Sequence, residues 1–125
     1  MITVRMQHGD TTVALLPEEI DYDNASLVGA QCGDLIRQGC RTLILDASTV
    51  KYLDSSAIST FILLLRLLDD HDGTLRLAAL DDHYRHNLRI LGLDSLFPLY
   101  PTVEAAHRPY AISENTEMSQ PSRSA

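Results

Sequence analysis

The chain opens with apolar and polar positions in strict alternation. Ile2, Val4 and Met6 alternate with Thr3, Arg5 and Gln7, a period of two that predicts a strand with one apolar and one wet face. Gly9-Asp10 supplies a two-residue turn, because glycine reaches positive φ without steric penalty, and Thr11 to Leu16 returns as a second strand that Pro17 ends. Between 24 and 38 the period becomes helical. Ala25, Val28, Cys32, Leu35 and Ile36 share one face, Asp23 or Asn24 can cap the start, and Gly39 follows the last turn. Thr42 to Leu45 is apolar on both faces, as a central buried strand is. A loop with Asp46, Ser48 and Lys51 leads to Asp54-Ser55-Ser56 and a second helix to about Asp70. After the Asp72-Gly73 turn, Leu75, Leu77 and Ala79 alternate with Arg76, Ala78 and Leu80 in a further strand. Asp81 or Asp82 caps a third helix, with Tyr84, Leu88 and Leu91 inward and Gly92 as its stop. Leu96 to Leu99 forms a short last strand, and a short helix runs from Thr102 to about His107. The order β-β-α-β-α-β-α-β-α argues an α/β fold with a mixed, mainly parallel sheet and an antiparallel edge strand.

From Pro109 the periodicity stops. Residues 109–125 are rich in Ser, Glu, Gln and Pro and read as a flexible polar tail, so the expected domain is 1–108. At 125 residues there is room for a single domain. Ten Lys and Arg against 17 Asp and Glu give a formal charge of −7, which argues against nucleic acid, whose affinity comes mostly from cations on phosphates. The longest apolar run, Phe61 to Leu65, ends at Arg66 and falls short of the roughly 18 residues a membrane span needs. The first ten residues lack the apolar core of a signal peptide, and two cysteines make no disulfide framework. A reduced cytoplasmic setting follows as the expectation.

The second helix is the informative element. With Ile58 at the centre of the buried face, Phe61, Ile62, Leu65 and Leu68 cluster around it, while Ser56, Thr60, Leu63 and Leu67 project outward. Leu63 and Leu67, with Ser56, Ser59 and Thr60, are the expected partner-docking face. Asp69 points inward in this projection, so the helix is expected to fray before it. A serine at a helix start is first of all a cap. A phosphate there would also meet free backbone N–H groups and the positive end of the helix dipole. It would add nearly two negative charges beside Asp54.

TLILDASTVKYLDSSAISTFILLLRLL resembles the central segment of STAS domains, the family of bacterial anti-sigma factor antagonists. LRILGLDSLFPLYPTVEAAH resembles that family's closing segment, and EEIDYDNA loosely resembles its Gly-Glu-Leu-Asp segment, with Asp21 matching the Asp. The resemblance covers about residues 1–108 and implies a single STAS-like domain. It departs at Ala57, where the family has Gly after the two hydroxyl residues, and at Glu18, where the family segment begins with Gly. The resemblance implies that the hydroxyl directly after the Asp, Ser55, is the phosphoacceptor, with Ser56 the second candidate. It further implies a kinase-type anti-sigma factor that binds the unphosphorylated form and releases the phosphorylated one, and a serine phosphatase that restores it. Asp21, Asp46, Asp54 and Ala57 form the expected surroundings of the phosphosite. Asp46 and Asp54 can orient Ser55, or can serve their own loops as caps and Asx-turns.

The remaining residues add no chemistry. His83 and His86 share a helix face, but no third ligand clusters with them, so no metal site is expected. Cys32 reads as a small core hydrophobe, and Cys40 lies in a turn without a catalytic His. The chain has no Gly-rich phosphate loop, so any phosphate on Ser55 comes from a partner. The reading is therefore a regulatory interaction module with no cofactor, rather than an enzyme. Its alternative is a constitutive STAS-like subunit of a lipid-transport ABC complex, or a scaffold of a stress-sensing assembly. The edge strand and the leucine pair leave a homodimer open.

Overall fold

The structure is a computed structural model and describes residues 1–108; the expected tail, 109–125, lies outside the described residues. Its strands are β1 (Thr3–His8), β2 (Thr11–Leu15), β3 (Glu19–Ile20), β4 (Thr42–Asp46), β5 (Tyr52–Leu53), β6 (Thr74–Ala78) and β7 (Leu99–Tyr100). Its helices are α1 (Ala25–Arg37), α2 (Ser55–Asp70), α3 (Asp82–Ile90) and α4 (Val103–His107), with a 3-10 turn at Leu93–Ser95. Five strands form one sheet in the order β1-β2-β4-β6-β7. β1 and β2 are antiparallel and the other pairs parallel, so the α/β fold with an antiparallel edge is the one observed.

The central strand β4 shows why the sheet is stable. Leu43, Ile44 and Leu45 are fully buried, because helices cover both faces. On one face Leu43 and Leu45 join a core with Val28, Cys32 and Ile36 of α1, Phe61, Leu64 and Leu68 of α2 and Leu88 of α3. Phe61 meets Phe97 edge to face, with ring centroids 6.3 Å apart. On the other face Val13, Ile44, Ala78 and Tyr100 pack under Ala106 of α4.

Several expectations are corrected. Ile2, Val4 and Met6 do not share a face. A bulge between Val4 and Met6 pairs Val4 with Ala14, a residue of the first core, and Met6 with Val13, a residue of the second. Two short strands, β3 and β5, were not expected and form a separate parallel pair. The strand expected at Leu96 to Leu99 begins only at Leu99, because the 3-10 turn occupies the preceding segment. Leu91, expected inward, is 67% exposed, since α3 ends at Ile90 and Gly92 turns the chain away at φ 75°. α2 continues through Asp70, and Asp69 is exposed. The buried line of α2 is Ala57, Thr60, Phe61, Leu64 and Leu68, rotated towards α1 relative to a face centred on Ile58.

Candidate functional site

The amino-terminal tip of α2 is held by the small β3–β5 pair. Ile20 lies beside Leu53, and the Asp54 N–H donates to the Ile20 carbonyl at 3.2 Å. Asp54, not a serine, is the helix cap. Its Oδ1 accepts from the N–H groups of Ser56 at 2.8 Å and Ala57 at 3.3 Å. Its Oδ2 accepts from the Tyr22 N–H at 3.1 Å, which fastens the loop after β3 to the tip. That loop is braced from within. Asp21 Oδ1 accepts from Asp23 N–H, while Asn24 takes the Asp21 N–H and donates to the Glu19 carbonyl. Asn24 therefore precedes α1 without capping it by its side chain.

Ser55 is the first residue of α2 and is exposed. Ser56 is half-buried, and Ala57 is fully buried in the first core. Asp21 and Asp54 come together through the Tyr22 amide. Asp46, at the end of β4, accepts from Ser48 N–H at 2.9 Å and so braces its own loop. Two of the N–H groups at the helix tip are already taken by Asp54. A phosphate on Ser55 would thus lie beside an occupied cap rather than against free amides.

The expected docking residues divide between the two flanks of α2. Thr60 is 8% exposed, and its hydroxyl donates to the Ala25 carbonyl of α1. Leu67 is half-buried, and Leu63 is 64% exposed. Thr60, Leu63 and Leu67 line a groove of about 360 Å³ whose other side is Ser26, Gly29, Gly33 and Arg37 of α1. Ser59 faces the other flank. There, Ser55, Ile58 and Ser59 oppose Tyr84, Asn87 and Leu88 of α3 and Leu91 directly after it across a groove of about 350 Å³, closed at one end by Leu53 and Asp54. The Leu53 N–H donates to the Tyr84 hydroxyl at 3.2 Å and fixes that wall. The α3 residues of this groove went unrecognised in the sequence as part of a site. Leu91, one residue before the Gly92 stop, was the available signal, because a helix-end leucine is easily left outside the core.

Both cysteines are free thiols and buried. Burial pushes the Cys32 thiol up to about 12, with the neighbouring Cys40 adding to the shift, and burial also raises Cys40. Among the described residues no group of three or more His, Cys, Asp or Glu could hold a metal ion, and no helix is long and apolar enough to cross a membrane.

The STAS domain family profile matches residues 3–106. BtrV of Bordetella bronchiseptica, named as an anti-sigma factor antagonist, is 29% identical over 94 residues, which span 75% of this chain and 81% of that protein. The structure of an anti-sigma factor antagonist from Mycobacterium paratuberculosis matches with a TM-score of 0.77 at 25% identity, over 87% of this chain and 92% of the other. The anti-sigma factor antagonist SpoIIAA in its unphosphorylated form matches with a TM-score of 0.74 at 22% identity, over 89% of this chain and 96% of its own. SpoIIAA, a Bacillus cell fate determinant, also has a structure in the phosphorylated form, similar at a TM-score of 0.69 and 22% identity over 88% of this chain and 99% of its own.

Proposed function

This chain belongs to the STAS domain family, and from that premise we propose that it is an anti-sigma factor antagonist that switches partners at Ser55. The unphosphorylated protein binds a kinase-type anti-sigma factor. In that complex Ser55 Oγ attacks the γ-phosphorus of ATP held by the kinase, the bond to the β-phosphate oxygen breaks and ADP leaves. The hydroxyl proton passes to a base on the kinase. A serine phosphatase reverses the change, with water displacing the phosphate as inorganic phosphate and restoring the hydroxyl. Ser56 is the second candidate for the same role.

The observation that carries this reading is an exposed hydroxyl at the first position of a long helix whose own cap is supplied by the residue before it. Because Asp54 does the capping, Ser55 is free to be modified without unmaking α2. A phosphate adds about −1.5 to −2 charges next to the Asp54 carboxylate, which disturbs docking far more than folding.

The test is incubation with ATP labelled at the γ-phosphate and each kinase-type anti-sigma factor encoded in the same genome. Label enters the wild type, and Ser55→Ala abolishes its entry. By calorimetry Ser55→Ala binds the kinase as the wild type does, and Ser55→Asp binds at least about tenfold more weakly. Equal affinities for the two variants sink the switch, and no incorporation at all points to a constitutive partner.

A further inference from the structure

We infer that two copies of this chain pair face to face, each seating Ile90 in the other's groove beside the carboxyl-terminal half of α2. That groove, of about 470 Å³, lies further along the flank of α2 that carries Ser55 and Ser59. Ile62, Leu65, Arg66 and Asp69 follow one another along it at helical spacing, and Leu75, Leu96 and Pro98 complete an apolar floor.

Knob and groove lie on one stretch of chain. Ile90, the last residue of α3, is 70% exposed and is the most exposed aliphatic side chain among the described residues. The 3-10 turn at Leu93–Ser95 follows it, and Leu96, directly after that turn, is 46% exposed and lines the groove. A surface that carries both a knob and an apolar groove is self-complementary, and a two-fold axis beside Leu96 uses each of them twice. Seating Ile90 removes apolar surface from water on both copies.

Charge selects a second copy as the occupant. At a net charge of −7 two copies repel, so a face that pairs must match charge locally. α2 ends in Asp69 and Asp70 with no basic residue in its last turn, against the preference of a helix carboxyl end for cations. Arg89 stands directly before Ile90 and is exposed. Among the described residues it makes no ion pair, whereas Arg85, one turn earlier, is held by Asp82. Seating Ile90 brings Arg89 of one copy to Asp69 of the other and supplies the missing cation. Arg66, on the same lip, then faces the 3-10 turn of the second copy, which carries Asp94. The surfaces that the sequence offered for a homodimer fit less well. β1 carries a bulge and Arg5, which keep strand edges apart, and Leu63 borders a groove whose cation, Arg37, is already paired with Asp34.

Sedimentation equilibrium of the full 125-residue chain, with no other protein present, reads the association. The wild type shows a monomer–dimer equilibrium with Kd below about 1 mM. Ile90→Ser raises that Kd at least about tenfold, since the side chain is lost from both seats. Arg89→Asp and Asp69→Arg each raise it by about the same factor, because each sets like charges together at both lips. An equal mixture of these two variants pairs within about threefold of the wild type, because every mixed dimer has opposite charges at both lips. Ile90, Arg89 and Asp69 are exposed, so thermal midpoints stay near that of the wild type. A wild type still monomeric at about 1 mM overturns the inference. So do assemblies that grow beyond the dimer, an unchanged Kd in Ile90→Ser, and a mixture that pairs no more tightly than its two components.

Discussion

The two flanks of α2 border grooves of similar size, yet they are built differently. Towards α1 the helices nearly touch. A Cβ on Gly29 would stand 3.1 Å from Thr60 Cγ2, and the Thr60 hydroxyl reaches the Ala25 carbonyl. The groove left there is edged by Arg37, which is paired with Asp34 at 2.7 Å, and by glycine backbone. Towards α3 the walls are mainly apolar side chains, with Ser59 and Asn87 between them, and Ser55 stands in one wall. One flank is a packing seam and the other is an open slot beside the exposed Ser55. What distinguishes them is which backbone is locked and which chemistry lies alongside.

The largest effect should come from wedging the turn after α2 against the start of β4. A Cβ on Gly73 would overlap the Arg41 carbonyl oxygen and stand 2.9 Å from Leu68 Cδ2. That carbonyl also accepts the Thr74 N–H at 2.7 Å, so it has little freedom to move. Gly73→Ala is expected to cost about 3 kcal/mol, at the upper end for overpacking, measured as a lower urea midpoint at unchanged slope. A neutral result would mean that this junction, on which the end of α2 rests, is loose. A smaller effect is expected at the tip that both flanks share. Asp54→Ala removes the cap of α2 and should cost about 1 kcal/mol. It also frees the Tyr22 N–H, so amide exchange at Tyr22 should accelerate, whereas exchange in the middle of α2 changes only with global stability. Equal acceleration at both places would show that Asp54 does not clamp the loop separately.

Long periodic segments were legible in the sequence. The helix read over 24–38 spans Ala25–Arg37, and the buried strand at Thr42 to Leu45 extends one residue, to Asp46. What escaped had no period to read. β3 and β5 have two residues each, too few to alternate. The bulge in β1 leaves the alternation intact in sequence while turning Met6 to the opposite face from Val4. The five consecutive apolar residues from Phe61 to Leu65 fit several helix orientations, so the projection could not tell that Leu64 is buried and Leu63 is not. The Asp-Ser-Ser tip of the candidate site was visible because its geometry is local. The facing wall on α3 comes about 30 residues later, and only the tertiary fold brings it opposite Ser55.

The smallest effect, absent at neutral pH, contrasts the hydroxyl on the open slot with the thiol sealed beneath α1. Cys32 is fully buried among Val28, Ile36 and the sheet, and its pKa is pushed up from 9.0 to about 12. Its raised folded-state pKa fixes the sign. Below pH 9 both folded and unfolded chains hold the proton, so Cys32 adds no pH dependence. Between 9 and about 12 the unfolded chain ionises and the folded one does not, so stability falls as pH rises. Well inside that window the folding constant falls by up to about tenfold per pH unit from this group. Urea midpoints at pH 8 and pH 10 should therefore drop further for the wild type than for Cys32→Ala, which lacks the thiol. Equal drops would mean that water reaches Cys32, and with it the α1 face of the core, in the native state.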